Sequence, residues 1–241
     1  LAPAQLPVDV SGDIVHNLAA KSAWLSLAFL LRNAAARLLD VGPDELITEI
    51  SPRRVADGTV VGEIFLADRL ENGAGYATWM AHNLEELLTA AKDESARHLE
   101  HAANGCDGSC YDCLRDYSNA AYHPLLDWFL AREALHLLTG QGLDFRGDPW
   151  GAAVSAYGEA FGWSTAQEVE GARLLMSDRD GKALVIAHPM LRAEPVPTPV
   201  RSVLVAAGVD AAALTSGYEI ARRPGLVEAK VRSSRMPFVK L

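Results

Sequence analysis

The chain has 241 residues, of which 49% are hydrophobic, and this supplies enough apolar side chains for one large or two small cores. Its formal charge is −9, and residues 1–150 carry the acidic excess, with 22 Asp and Glu against 11 Lys and Arg. This balance excludes nonspecific nucleic-acid binding over the whole surface. The sequence shows neither a long apolar run nor a leading signal segment, so we expect a cytoplasmic protein without membrane partners.

The apolar pattern of the first 140 residues predicts helices around a pair of strands. Trp24, Leu27 and Leu31 recur at helical spacing, and Pro124 suits the first turn of a later helix. A short apolar run at 60–66 is bounded by glycine and aspartate, which is typical of a strand. The predicted elements are a helix at 22–39, strands at 46–51 and 59–67, a long helix at 76–101 and a helix at 124–138.

A stretch rich in glycine and aspartate at 140–149 marks a boundary in the chain. We therefore predict one domain at 1–140 and a second segment at 141–241. The pattern of the second segment predicts a helix, then a hairpin, then a short α/β stretch. The ranges are 150–161 for the helix, and 172–177 with 183–187 for the hairpin.

All three cysteines of the chain lie within eight residues, as Cys106, Cys110 and Cys113. Three cysteines cannot all pair as disulfides, and the Cys-x2-Cys step is a metal-binding spacing. A zinc site built from sulfur is usually closed by sulfur or imidazole, so a nearby histidine should supply the fourth ligand. The histidines close to the cluster in sequence are His98, His101 and His123.

Of these, we favour His123, which lies at the predicted start of a helix and can fold back onto the cysteines. His101 is the alternative ligand, and three reduced thiols without a metal is the alternative to a site. With this cluster, the predicted fold class is α+β. It comprises a small antiparallel sheet flanked by helices with a zinc knuckle, followed by a smaller α/β segment.

The C-terminal end of the chain carries two weaker signals. Glu228-x-Lys230 matches half of a restriction-type nuclease site, and Asp210 is the upstream acid at a workable distance. The last twenty residues are also locally basic, which suits contacts with phosphate, although a solvated strand edge has the same composition. The candidate nucleic-acid-binding residues are Arg222, Arg223, Lys230, Arg232 and Arg235.

The run Ser109–Asn119, followed by His123 and Leu126-Asp127-Trp128, resembles the zinc-binding domain at the C-terminal end of bacterial superfamily-two DNA helicases. Relatives occur in the mitomycin repair helicase and in helicase-associated proteins of DISARM-type phage defence. The strand at 64–68 and the glycine turn at 73–76 resemble the same family, and the resemblance covers roughly residues 10–140. Some members close the site with four cysteines, whereas this chain has three.

The resemblance implies a structural Zn²⁺ in an accessory module of an ATP-dependent DNA helicase used in DNA repair or phage defence. The module would pack on the helicase motor, in cis or as a partner subunit, and help DNA engagement. ATP would bind in the motor, because this chain has no P-loop and is expected to have no catalysis of its own. The first residue is Leu1, so we expect either a longer parent polypeptide or a processed chain.

Two alternatives follow from the same sequence. Residues 150–241 could be a divergent nuclease acting with the helicase, or the chain could be a scaffold for other proteins of a defence complex.

Overall fold

The computed structural model describes residues 1–56, 58–70, 73–102, 105–145 and 147–241, with the side chains of 99–102 outside the described part. These residues divide into two compact units. Unit 1 comprises Leu1–Leu6 with Gly12–Leu143, and unit 2 comprises Pro7–Ser11 with Asp144–Leu241. No helix among the described residues is both long and apolar enough to cross a membrane.

Unit 1 is built around one long, almost fully buried helix, α1, at Leu18–Leu39. Asn17 caps its first turn by accepting a hydrogen bond from the Ala20 amide, at 2.9 Å. Two antiparallel strands, β1 at Leu46–Arg54 and β2 at Val60–Asp68, pack against it. The pairing requires glycine at position 62, because a Cβ there would overlap the ring of the buried Trp24.

The single helix predicted at 76–101 is wrong in one respect, because the structure has two helices there. These are α2 at Tyr76–His82 and α3 at Leu84–Ala102. Asn83 separates them with φ −118° and ψ 37°, and its side-chain amide donates to the Trp79 carbonyl at 2.8 Å. A side chain that bonds the preceding turn in this way competes with continuation of the helix. The first two residues of the predicted glycine turn, 71–72, lie outside the described residues.

The last helix of unit 1, α4, spans Trp128–Leu138 and packs on α1 and α3. The prediction that it begins at Pro124 is wrong, because Pro124 lies inside a separate 3₁₀ segment at Tyr117–Leu125. Asp127 provides the N-cap of α4 by accepting a hydrogen bond from the Leu130 amide at 3.2 Å. This cap, rather than the proline, sets the start of the helix.

Unit 2 contains a mixed five-stranded sheet with helices on it. The sheet order is β3-β4-β5-β6-β7, in which β5 and β6 are parallel and the other neighbours are antiparallel. The strands are β3 at Trp163–Val169, β4 at Ala172–Ser177, β5 at Ala183–Ala187, β6 at Ala211–Ser216 and β7 at Phe238–Lys240. The helices are α5 at Gly151–Phe161, α6 at Thr198–Ala207, α7 at Gly217–Arg222 and α8 at Pro224–Arg232.

The α+β class predicted from the sequence is confirmed, with the small two-stranded antiparallel sheet in unit 1. The predicted hairpin of unit 2 is present as β4 and β5, with the predicted residues. A buried core joins α5, α7 and α8 to the face of the sheet that carries Leu175, Leu184 and Ala213. The parallel pair β5–β6 is connected through α6, as parallel neighbours require a crossover.

Candidate metal centre

Three side chains of unit 1 converge at the end of α3. Cys106 Sγ lies 3.7 Å from His98 Nε2 and 3.9 Å from Cys113 Sγ. The ligand atoms of His98, Cys106 and Cys113 all lie within 4.8 Å of one another. A disulfide requires sulfurs about 2.05 Å apart, so this spacing is that of separate thiols.

This spacing fits a tetrahedral zinc ion. Zn–S bonds of about 2.3 Å and Zn–N bonds of about 2.0 Å place two ligand sulfurs about 3.8 Å apart, and a sulfur and a nitrogen about 3.6 Å apart. The observed 3.9 Å and 3.7 Å agree with these separations. Thiolate and neutral imidazole are also the ligands that structural zinc sites use. By spacing and by chemistry, His98, Cys106 and Cys113 fit zinc.

Cys110 borders this group without belonging to the set within 4.8 Å. Its thiol hydrogen-bonds to Cys106, and its charged form would interact with both Cys106 and Cys113. Its backbone amide donates to Cys113 Sγ at 3.0 Å, and the Cys113 amide donates back to the Cys110 carbonyl at 3.2 Å. The Cys-x2-Cys step therefore folds as a tight knuckle around the Cys113 sulfur.

The imidazole of His98 is held in place by the helix that follows the knuckle. It is buried and stacks on the Trp128 ring, with centroids 4.6 Å apart and planes 22° apart. Trp128 is the first residue of α4, and its amide donates to the Gly108 carbonyl at 2.7 Å. Gly108 has φ +122°, which side-chain-bearing residues rarely adopt. The end of α3, the knuckle and the start of α4 are thus joined through these contacts.

Further hydrogen bonds attach the knuckle to α1 and to the end of the 3₁₀ segment that precedes α4. The Ser109 hydroxyl donates to the Leu126 carbonyl at 2.9 Å and accepts from Arg115 Nε at 2.9 Å. The Asn33 side chain of α1 donates to the Cys113 carbonyl at 2.9 Å. Ligand-bearing loops fixed by outer hydrogen bonds of this kind are typical of ordered metal sites.

A buried ion pair supports the segment immediately after the knuckle. The Arg32 guanidinium, almost fully buried on α1, pairs with the Asp116 carboxylate and also donates to the Ser118 hydroxyl at 3.3 Å. Burial alone would raise the pKa of Asp116, but its hydrogen bonds from Ser118 and Arg32 outweigh this and hold the pKa below its usual range. Asp116 also caps the 3₁₀ segment through the Asn119 amide, at 3.0 Å.

His123, the histidine favoured from the sequence, lies in this 3₁₀ segment. Its Nε2 faces two oxygens, the Asp116 carbonyl at 3.0 Å and the Asn119 side-chain oxygen at 2.9 Å. A ring nitrogen facing two acceptors carries a proton and donates it. The structure therefore groups His98, rather than His123, with the cysteines. The side chain of His101, the sequence alternative, lies outside the described residues.

A sequence signal for His98 was present in the helix that carries it. Among the described side chains of α3, those of Leu87, Ala91, Ser95 and His98 are buried and recur at helical spacing. A histidine that continues a buried stripe must point toward the interior, where the knuckle lies. The distance in sequence between a histidine and the cysteines does not indicate which way the histidine side chain points.

In the metal-free chain, the thiol pKa values of Cys106 and Cys113 are raised, which favours the protonated forms. Burial raises the pKa of the Cys106 thiol, and its hydrogen bond and charge interaction with Cys110 raise it further. Burial also raises the pKa of Cys113 well above its ordinary value, and the hydrogen bond from the Cys110 amide offsets only part of the shift. Neighbouring thiolates in a buried pocket require a cation to coexist.

In unit 2, the structure does not bring Glu228 and Lys230 together as a nuclease site. Both lie on α8, where residues two apart point in different directions. The Glu228 carboxylate accepts from the Tyr157 hydroxyl at 2.6 Å and from Trp163 Nε1 at 2.9 Å, and its other oxygen accepts from Arg232 Nε at 2.6 Å. Among the described residues, the group able to share a metal ion lies in unit 1, not in unit 2.

The candidate nucleic-acid residues fall into two sets. Arg232 is held by Glu228 and by Asp180, at 2.9 Å, and Arg222 lies over the Tyr218 ring at 3.8 Å. These two side chains stabilise unit 2 itself. The others, which are exposed or half-buried, are Arg223, Lys230 and Arg235.

Comparison with known proteins shows what the metal-site segment is similar to. Residues 27–114 match the family model of the MrfA Zn-binding domain. The match contains His98 and all three cysteines and ends before His123. It confirms the resemblance predicted from the sequence, that of a zinc-binding, helicase-associated domain.

One curated relative is similar to about half of the chain. Druantia protein DruE of Escherichia coli (strain UMEA 4076-1) is 36% identical to this chain over 126 residues. The aligned part is 51% of this chain and 6% of DruE, so the chain spans a small part of that relative's length. No solved structure matches the chain.

The raised thiol pKa values predict a pH dependence for zinc binding. Zinc takes thiolates, so binding must release the protons of Cys106 and Cys113. We expect zinc affinity to rise about tenfold per pH unit for each thiol that ionises, between about pH 6 and pH 8. Competition with a chromophoric chelator at several pH values measures this slope, and an affinity independent of pH would contradict it.

The metal-free protein gives the matching control. A thiol whose pKa is raised by folding stabilises the folded state fully below the ordinary thiol pKa, about 8.5, and this contribution is lost as the pH rises further. Denaturant unfolding without zinc should therefore show falling stability above that pH, whereas the zinc-loaded protein should not show this loss.

Proposed function

We propose that unit 1, whose segment 27–114 matches the MrfA Zn-binding domain, is a structural zinc module of an ATP-dependent DNA helicase used in DNA repair or phage defence. We further propose that it packs on the helicase motor and helps that motor to engage DNA. The observation that carries the proposal is the cluster of His98, Cys106 and Cys113 at tetrahedral spacing within the matched segment.

The proposed ligands are Cys106, Cys110, Cys113 and His98. Cys110 would complete the set, since its thiol already interacts with Cys106. His98 takes the place that the sequence gave to His123, because its ring nitrogen faces the Cys106 sulfur. When bound, zinc would supply coordination bonds that tie the end of α3 to the knuckle. Four protein ligands leave no open position for substrate, which supports a structural role rather than a catalytic one.

The packing of this module on a motor is supported by aromatic side chains exposed beside the knuckle. Tyr117 is 91% exposed and Tyr111 is 60% exposed, and their ring centroids lie 5.7 Å apart. Tyr122 is also exposed. Tyrosine is enriched at protein interfaces and among the residues that dominate their energy. The acidic balance of residues 1–150 favours a protein surface over nucleic acid as the partner of this patch.

The ligand assignment predicts different outcomes for two histidine variants. His98→Ala should weaken zinc binding by at least about tenfold, because removing a ligand costs more than removing its supporting residue. His123→Ala should retain one zinc per chain, because Nε2 of that residue bonds to Asp116 and Asn119. Elemental analysis after dialysis against a weak chelator measures both.

A third variant separates ligation from packing. His98→Cys should restore zinc binding, since zinc accepts four cysteines. Hydrogen exchange should show that residues 105–126 lose protection when zinc is removed and regain it when zinc returns. The assignment is wrong if His123→Ala loses zinc while His98→Ala keeps it. A structural role is wrong if protection is the same with and without zinc.

The interface proposal predicts the effect of removing the exposed rings. Tyr111→Ser with Tyr117→Ser should leave zinc content and unfolding temperature unchanged, because both side chains face solvent. The double variant should weaken binding to the purified helicase motor by at least about tenfold, as expected when interface hot spots are lost. Val205→Ser, which alters an exposed apolar residue on α6, is the control. Equal binding by the double variant and the control would contradict this interface.

A further inference from the structure

We infer that unit 2 binds single-stranded nucleic acid on a surface formed by the end of α8 and the edge strand β7. This surface, the basic edge, comprises Lys230 and Arg235 at the C-terminal end of α8 with Phe238 and Lys240 of β7. The inference rests on the proposed function in one respect only, namely that a module of a DNA helicase would encounter nucleic acid. It involves neither the zinc ligands nor the tyrosines of unit 1.

The charge of this part of the chain is opposite to that of the whole. Residues 222–241 contain six Lys and Arg and one acidic residue, Glu228, in a protein whose formal charge is −9. Glu228 is hydrogen-bonded to Arg232, so these two charges offset each other. The remaining positive charge is complementary to a phosphate backbone.

The cations of the basic edge remain available to a ligand. Arg235 and Lys240 are exposed, and Lys230 is half-buried. Among the ion pairs that the described residues form, none involves these three side chains. Arg222 and Arg232 differ, because one lies over the Tyr218 ring and the other pairs with Asp180 and Glu228. We therefore exclude those two arginines from the surface.

The strand pairing places Phe238 and Lys240 on the face of the sheet that α8 covers. Phe238 pairs with Ala213 across the antiparallel strands, and paired residues point to the same face. Ala213 belongs to the core that contains Val227 and Val231 of α8. Lys240 is two residues beyond Phe238 and so shares its face.

The turn between α8 and β7 joins the two parts of the surface. The Arg235 amide donates to the Lys230 carbonyl at 2.9 Å, which fixes Arg235 at the C-terminal end of α8. The Leu214 amide donates to the Pro237 carbonyl at 2.8 Å, which fixes the approach to β7. The cations and the aromatic ring therefore sit on a backbone that is already ordered.

Phe238 indicates which nucleic acid this surface fits. Its side chain is 61% exposed on a strand at the edge of the sheet, although β7 buries the neighbouring Val239. An exposed aromatic ring among unpaired cations matches the combination by which proteins bind single strands: bases stack on the ring and phosphates contact the cations. In a duplex the base faces are stacked inside the helix and unavailable to the ring.

The test is fluorescence anisotropy of the zinc-loaded chain with a labelled oligothymidylate of about 15 nucleotides. A hairpin duplex and an oligouridylate of the same length are the comparison ligands. Phe238→Ala should weaken binding of the single strand about tenfold without changing its salt dependence. Arg235→Ala should weaken binding and reduce the slope of log Kd against log salt by about 0.7, the value for one phosphate contact to a single strand.

The matched control is Arg201→Ala, which removes one exposed arginine from α6 and should change neither quantity beyond its effect on net charge. Binding of oligothymidylate or oligouridylate supports the inference, and their ratio shows whether DNA or RNA is preferred. The inference fails if neither binds, if duplex binds equally well, or if Phe238→Ala has no effect. Binding to anionic vesicles in place of the oligonucleotides would also overturn it.

These outcomes are independent of the proposed zinc module. The basic-edge variants should keep one zinc per chain and the unfolding temperature of the unmodified protein, since the changed side chains are exposed. A failure of oligonucleotide binding with zinc intact would reject the basic edge alone. Loss of zinc in His98→Ala with normal oligonucleotide binding would leave the basic edge supported.

Discussion

The convergence of His98, Cys106 and Cys113 is the interaction on which the order of the segment between α3 and α4 depends. Of residues 105–116, Leu114 is the hydrophobic residue that enters the buried core. Burying one leucine contributes about 1.5–3 kcal/mol, whereas a structural zinc contributes about 10–16 kcal/mol of folding free energy in small zinc peptides. With one core side chain and three of the proposed ligands, this segment would draw its stability mainly from the proposed zinc.

The surroundings of the cluster are arranged to keep this segment in one conformation. His98 stacks on Trp128, and the Trp128 amide bonds to Gly108, so the ligand on α3 and the loop are fixed by the same residue. The buried Arg32 on α1 holds Asp116 on the other side of the knuckle. Removing one partner of such a pair leaves a buried charge without compensation, which is strongly destabilising. The proposed zinc and the ion pair would thus order neighbouring stretches of one loop.

Sequence reasoning identified those features of the fold and of the metal centre that are local in the chain. The cysteine cluster, the two-stranded sheet and the hairpin of unit 2 follow from spacing and alternation, which are properties of a few adjacent residues. The choice among His98, His101 and His123 depends on which way each side chain points. That direction is set by the packing of α3 on α1 and by hydrogen bonds from His123 to Asn119. Helix α4 begins at Trp128, after the Asp127 cap, rather than at Pro124, because a cap can override a favourable proline.

The two units offer different chemistry to their partners. Unit 1 presents tyrosines beside a metal centre in an acidic half of the chain, and unit 2 presents unpaired cations beside an exposed phenylalanine. The proposal for unit 1 assumes that the zinc centre has the ligands the geometry brings together. X-ray absorption spectroscopy at the zinc edge of the purified chain tests that assumption most directly. We predict three sulfurs at about 2.3 Å and one imidazole nitrogen at about 2.0 Å, with the imidazole signal lost in His98→Ala. A shell dominated by oxygen, or an imidazole signal that persists in His98→Ala and disappears in His123→Ala, would contradict the account.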